Sequence, residues 1–229
     1  MSVDAMNSPI ELCPRDDRRA SAARSQFYKI LSGVFNYPAD AAQSDFVRRG
    51  AAEALRDAAA GLPFLVPAVA MLGDAGGGDV VEAGDEDVAL AYTSLFDNCG
   101  GRPAVPLHEK DYVQRDTKQV WEELIRFYEH FGLGYDLKAS GEWPDHLGTE
   151  LQFLHYLTFL ETGAPDDAAG TYAAAAGDFL ERHLANWVPK FADNLAGKAE
   201  GAAYVALAQV LVQFVAGEVE WNRSRRALQ

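Results

Sequence analysis

The sequence holds little from which to build covalent or metal-based scaffolding. It has two cysteines, Cys13 and Cys99, far apart and without a second cysteine or a histidine at ligand spacing, which excludes a disulfide framework and a zinc ribbon and suits a reducing compartment. Basic residues are also scarce: 20 Lys and Arg stand against 34 Asp and Glu, a formal net charge of -14. Phosphate backbones and anionic lipids are bound through clustered Lys and Arg, so no nucleic-acid partner is expected. A negative surface instead steers basic peptides inward, although the same charge serves solubility alone in many acidic proteins. By inspection no apolar stretch approaches the roughly 18 uncharged residues of a membrane span, so no stable membrane insertion is expected. Met1 to Asp17 is polar and lacks the apolar run of about 7–15 residues that a secretory signal needs. Arg18-Arg19 is followed by Ala-Ser-Ala-Ala-Arg, unlike a twin-arginine leader. A cytoplasmic location is therefore expected.

The alternating Val/Ile/Thr pattern of strands is nearly absent too, whereas helical spacing recurs throughout, so the class is all-α. With 48% hydrophobic and 24% charged residues the chain has the composition of a globular protein. Residues 1–17 read as a flexible tail and 18–229 as one helical bundle. The first helix is expected over Arg18–Asn36, stopping before Pro38, and an Ala-rich one over Ala41–Ala60. A short apolar helix from Phe64 to Leu72 leads into a glycine-rich flexible loop, 73–84. Asp85 is placed to cap a helix carrying Tyr92, Leu95 and Phe96, and Cys99 to Leu107 reads as an ordered loop. Val120 to Phe131 is helical, with Gly132 as its stop. Pro144-Asp145-His146 opens a helix running through Leu160, apolar nearly all round and hence central. Amphipathic segments at about 167–186 and 199–223, with a short piece at 189–195 between them, complete the bundle.

Catalytic signatures are missing. Gly76 to Gly78 lead into Asp79 and follow no strand, so they form neither a phosphate loop nor a dinucleotide fingerprint. There is no Gly-x-Ser-x-Gly, and neither cysteine has a histidine close in sequence to act as base. His146 and Glu150 share a helix face, but His155 lies about 900° of rotation beyond His146 and points away, so three ligands fail to converge. No cofactor or metal is expected; a two-ligand site at His146 and Glu150 leaves a metal-dependent hydrolase as one alternative, and a non-catalytic scaffold as another. Asp145 is explained by first-turn capping alone. Capping does not explain the concentration of Glu142, Trp143 and His146 beside it.

The segment from Glu142 through Trp-Pro-Asp-His-Leu-Gly-Thr-Glu-Leu-Gln-Phe-Leu resembles the acidic-x-Pro-Asp-His stretch of the TorD/DmsD/NarJ family of redox-enzyme maturation chaperones. Tyr92-Thr-Ser-Leu-Phe96, the Pro-containing connection ending at Tyr112, and Phe179 to Trp187 are similar to further family elements, in the same order. The resemblance implies a TorD-like helical bundle that is not an enzyme. Its expected partners are the apo catalytic subunit of a molybdenum-containing oxidoreductase and that subunit's twin-arginine leader, held until the cofactor is in place. By resemblance the client-binding residues are Leu95, Phe96, Pro106, Tyr112, Glu142, Trp143, Pro144, Asp145 and His146. Carboxylates beside an aromatic groove suit a leader that offers arginines and an apolar stretch. His146, with a reference pKa of about 6.5, would add pH sensitivity. Leu95 and Phe96 read equally as plain core. Where many members have a small Ser-containing turn, this chain has His108-Glu109-Lys110-Asp111, which looks closer to chaperones of type II dimethyl sulfoxide reductase family enzymes. Helix exchange between chains leaves both a monomer and an exchanged dimer open.

Overall fold

A computed structural model describes residues 18–60, 62–70, 72, 87–97, 101–136, 141–198 and 201–227. The expected tail, the loop at 73–84 and the expected cap Asp85 lie outside these residues. Ten α-helices are found among the described residues: α1 (Arg19–Val34), α2 (Ala41–Asp45), α3 (Ala51–Ala59), α4 (Val66–Ala70), α5 (Val88–Phe96), α6 (Thr117–His130), α7 (Leu147–Gly163), α8 (Asp166–Arg182), α9 (Leu184–Ala196) and α10 (Ala202–Ala227). A π turn, Phe46–Gly50, joins α2 to α3, so the Ala-rich stretch stays helical throughout.

Helix α7 is central because its buried residues, among them Leu147, Leu151, Leu154, Leu157 and Phe153, fall on several faces. It packs most extensively on α1 and then on α8. Each such fully buried apolar side chain contributes about 1.5–3 kcal/mol. Where α1, α7 and α10 meet, Arg24, Glu161 and Glu218 form a buried ionic cluster. The helix starts are set by side chains that satisfy free backbone N–H groups: Asp40 for α2, Asp116 for α6, and Asp87 for α5, where its carboxylate accepts from Ala89 and Leu90 at 3.1 Å. Gly132, at φ 79°, supplies the left-handed residue after α6. Gly201, at φ 81°, precedes α10, and a Cβ there would lie 2.5 Å from Leu95 Cδ1.

Two expectations are corrected. The segment expected to be helical over 167–186 breaks at His183, whose backbone (φ -115°, ψ -90°) is not helical, and the short piece expected at 189–195 belongs to a full helix, α9. His183 is the pivot because its ring is drawn into the core by Glu109, 2.8 Å away. Pro189 lies inside α9 at an exposed position. The second correction concerns apolar length: residues 201–217 carry no charge, and α10 is long and apolar enough to cross a membrane by length and composition. Half of that apolar window is packed inside the molecule, as in the core helix of a bundle.

Candidate functional site

The mouth of α7 is built by two stretches far apart in sequence. Residues 107–109 and 145–147 run antiparallel as an isolated bridge: Glu109 N–H donates to the Asp145 carbonyl at 2.9 Å and Leu147 N–H to the Leu107 carbonyl at 2.8 Å. Tyr128, on α6, donates its hydroxyl to the Pro144 carbonyl at 2.8 Å, and Tyr135 donates to the carbonyl of Glu142. Tyr112 closes its own loop on the Pro106 carbonyl at 2.8 Å and stacks on Trp187 with ring centroids 5.6 Å apart. Val105 N–H donates to the Leu95 carbonyl at 2.8 Å. Of the nine residues singled out from the sequence, Glu142 to His146 form the helix start itself, Pro106 lies beside it in the bridging segment with Tyr112 bonded to it and Leu95 bonded to the neighbouring Val105, and Phe96 lies in the core behind.

They do not share one exposure. Leu95, Phe96, Pro106, Pro144, Asp145 and His146 are buried, and Tyr112 and Glu142 are half-buried. Trp143 is 39% exposed and lies flat on Trp121, 4.3 Å between ring centroids. Lys110 Nζ sits over Trp121 at 5.7 Å. Phe96 is a core aromatic, in contact with Tyr204 at 5.1 Å. Beside the mouth, Glu142, Tyr128, Tyr135, Phe153 and Tyr156 line a cavity of about 580 Å³. The solvent-facing part of the mouth is therefore the Trp143/Trp121 stack, the Glu142 carboxylate and this aromatic cavity.

The buried polar residues act behind that face. Helix α7 begins at Leu147, three residues later than the expected opening at Pro144, and its cap is His146, whose Nδ1 accepts from Gly148 N–H at 3.1 Å. Asp145, expected as the capping carboxylate, instead accepts from Lys110 N–H at 3.2 Å and faces His108 Nδ1 at 3.5 Å and Lys110 Nζ at 3.7 Å. Burial alone would raise its pKa, but the His108 and Lys110 contacts outweigh this and hold it below the usual carboxylate range. His146 is pushed down to about 3 by burial, helped by the nearby His108. It is neutral throughout the physiological range, which corrects the expectation that it senses pH there. The helix start selects this form, since an accepting Nδ1 cannot carry a proton.

Beneath the bridge lies a cluster that was not read from the sequence. Glu109, Glu150 and His183 are each 0% exposed. Glu150 Oε2 accepts from Trp187 Nε1 at 3.2 Å, while Oε1 of Glu150 and Oε1 of Glu109 lack any conventional donor. Burial, then the Glu109 charge, raises the Glu150 pKa well above the usual value, and its acid form hydrogen-bonds Glu109. A proton shared by the two carboxyls would supply the missing donor. Glu150 and His146 thus turn to different partners, and among the described residues no group of three His, Cys, Asp or Glu is disposed to hold a metal ion. A group with a raised folded pKa stabilises the fold at low pH and loses that contribution as pH rises from about 4.5 through the folded value. Glu150→Gln, which keeps an acceptor for Trp187 and a donor for Glu109, should remove this loss. In urea unfolding at pH 5 and pH 8 the variant should gain on the native protein at the higher pH; a pH-independent difference would refute the shared proton.

Sequence comparison adds relatives to this geometry. Residues 49–193 match the family described as nitrate reductase delta subunit. The chain is 37% identical over 145 residues to a chlorate reductase assembly chaperone protein of Ideonella dechloratans, covering 62% of this chain and 72% of that one. It is 37% identical over 145 residues to a selenate reductase assembly chaperone protein of Thauera selenatis, covering 61% of this chain and 70% of that one. A chaperone protein TorD of Shewanella loihica is 24% identical over 216 residues, 90% of this chain and 95% of that one.

Proposed function

Because this chain belongs to the nitrate reductase delta subunit family, we propose that it recognises the apo catalytic subunit of a molybdenum-containing oxidoreductase through that subunit's twin-arginine leader, in the cytoplasm, and delays export until the cofactor is inserted. It is an assembly chaperone for molybdoenzyme maturation and not an enzyme. The chlorate and selenate reductase relatives match the subgroup suggested by the charged segment at 108–111.

The observation that carries the leader reading is the juxtaposition of a carboxylate with aromatic surface at the α7 mouth. Glu142, with its side chain 42% exposed, adjoins both the Trp143/Trp121 stack and the 580 Å³ aromatic cavity. A leader arginine is suited to Glu142 by a charge-assisted pair and to the indoles by stacking, and the apolar residues that follow are suited to the cavity. Asp145 and His146 hold this surface in place from behind. A synthetic leader carrying two arginines and an apolar stretch should bind the intact chain, and Glu142→Gln and Trp143→Ala should each weaken it about tenfold or more, as for an anchor worth over 1.4 kcal/mol. Fluorescence anisotropy reads the affinity and circular dichroism the helicity. Unchanged affinity in both variants rejects this site.

A further inference from the structure

The largest cavity among those described, about 820 Å³, lies away from the α7 mouth, between α6 and α8 and beside the last turn of α10. Its α6 wall is one helix face, Glu123, Arg126, Phe127 and His130, with Phe131 just beyond. Its α8 wall is likewise one face, from Thr171 through Ala174 and Asp178 to Arg182. These spacings make a trough about 12–16 Å long, the length of two to three helical turns. The floor is apolar: Phe127 and Phe131 are half-buried, and Ala174 lies exposed between the walls, small enough to admit a close backbone.

The charge of the trough runs against that of the molecule. On a chain of net charge -14 it holds three arginines against two carboxylates, and while Arg226 pairs with Glu181 at 3.4 Å and Arg182 with the trough's own carboxylates, Arg126 is left over. Its two carboxylates are already engaged: Glu123 by Arg115 and by Arg182 at 3.1 Å, Asp178 by Arg182 at 3.8 Å. Arg126 is exposed and makes no ion pair among the described residues, its Nε donating to the Glu122 carbonyl at 3.1 Å. An occupant that brought carboxylates to Arg126 and an apolar ridge to the two phenylalanines would complement both features.

We propose that this trough is a second docking site, for an amphipathic helix of another polypeptide that carries carboxylates beside its apolar ridge. The α7 mouth selects arginine; the trough selects the opposite charge. Two capped helical peptides of about 15 residues, long enough to span the trough, share one leucine ridge flanked in one by Glu and in the other by Lys. They are titrated against the intact chain by fluorescence anisotropy, with hydrogen exchange to locate binding. The Glu peptide should bind at least tenfold more tightly than its Lys twin and protect residues 123–131 and 171–182. Arg126→Glu and Ala174→Trp, both at exposed positions, should each weaken it at least tenfold. A twin-arginine leader should not compete, so failure here is distinguishable from failure at the α7 mouth. Equal affinity for the Lys twin, absence of binding, or competition by the leader would overturn the proposal. So would self-association of the chain, in sedimentation, that Arg126→Glu disperses, because the occupant would then be a second copy.

Discussion

Replacing Arg24 by methionine should lower the free energy of unfolding by about 3–5 kcal/mol, the usual cost of removing one partner from a buried ionic cluster. The side chains of Arg24, Glu161 and Glu218 are all 1% exposed or less. Arg24 Nε donates to both Glu218 oxygens, at 2.7 and 2.9 Å, and its Nη1 to Glu161 at 2.9 Å. Without the guanidinium, Glu161 keeps Ser21 at 2.9 Å and Arg225 at 3.1 Å, but Glu218 keeps only the Tyr28 hydroxyl at 2.9 Å for its carboxylate. Burial would favour loss of the Arg24 proton, yet the charges of Glu218 and Glu161 hold its pKa above the ordinary guanidinium value. The cost of the exchange is thus an orphaned Glu218 more than a lost attraction. Adding Glu218→Gln to Arg24→Met should then recover over half of the loss, which urea unfolding of the single and double variants measures. A single variant within 1 kcal/mol of the native protein, or a double variant no better than the single, would contradict the account.

Acidification should destabilise the fold through His146. Its pKa is about 6.5 in the unfolded chain and about 3 in the folded one, so between those values the unfolded state binds more protons. The stabilisation is complete above pH 6.5 and is lost as pH falls toward 3, by up to about 1.4 kcal/mol per unit. From pH 6.5 to 4.5 that amounts to about 2–3 kcal/mol. The groups facing the ring from the neighbouring segments, His108, Lys110, Asp145 and Glu142, keep their places in a conservative exchange. His146→Asn retains a capping acceptor for Gly148 N–H and removes the titration. Its unfolding free energy should fall less than that of the native protein over this window, and parallel pH profiles would count against the assignment. His155 is also held below its ordinary pKa by burial, and its contribution cancels in the comparison.

Much of this architecture was legible as periodicity. The α6 pattern from Val120 to Phe131 and the apolar circumference of α7 each led to a helix, because burial of a face requires apolar residues at helical spacing. The break at His183 was not legible, since the ring's hydrogen-bond partner, Glu109, lies 74 positions earlier. Nor was the Trp121/Trp143 stack, whose members read as one helix-face residue and one loop residue. The buried Glu109/Glu150 pair had no local signature either: Glu150 read only as sharing a helix face with His146.

Composition and helical spacing by themselves determined the all-α class and the central position of α7, and the motif from Glu142 to His146 carried the family resemblance, because each depends on residues near one another along the chain. Only the tertiary structure decided which members of that segment meet solvent. The antiparallel contact between 107–109 and 145–147 buries Asp145 and His146 and leaves Trp143 outside. Exposure and proton affinity depend on what the rest of the chain places around a residue, and no local spacing encodes that surrounding.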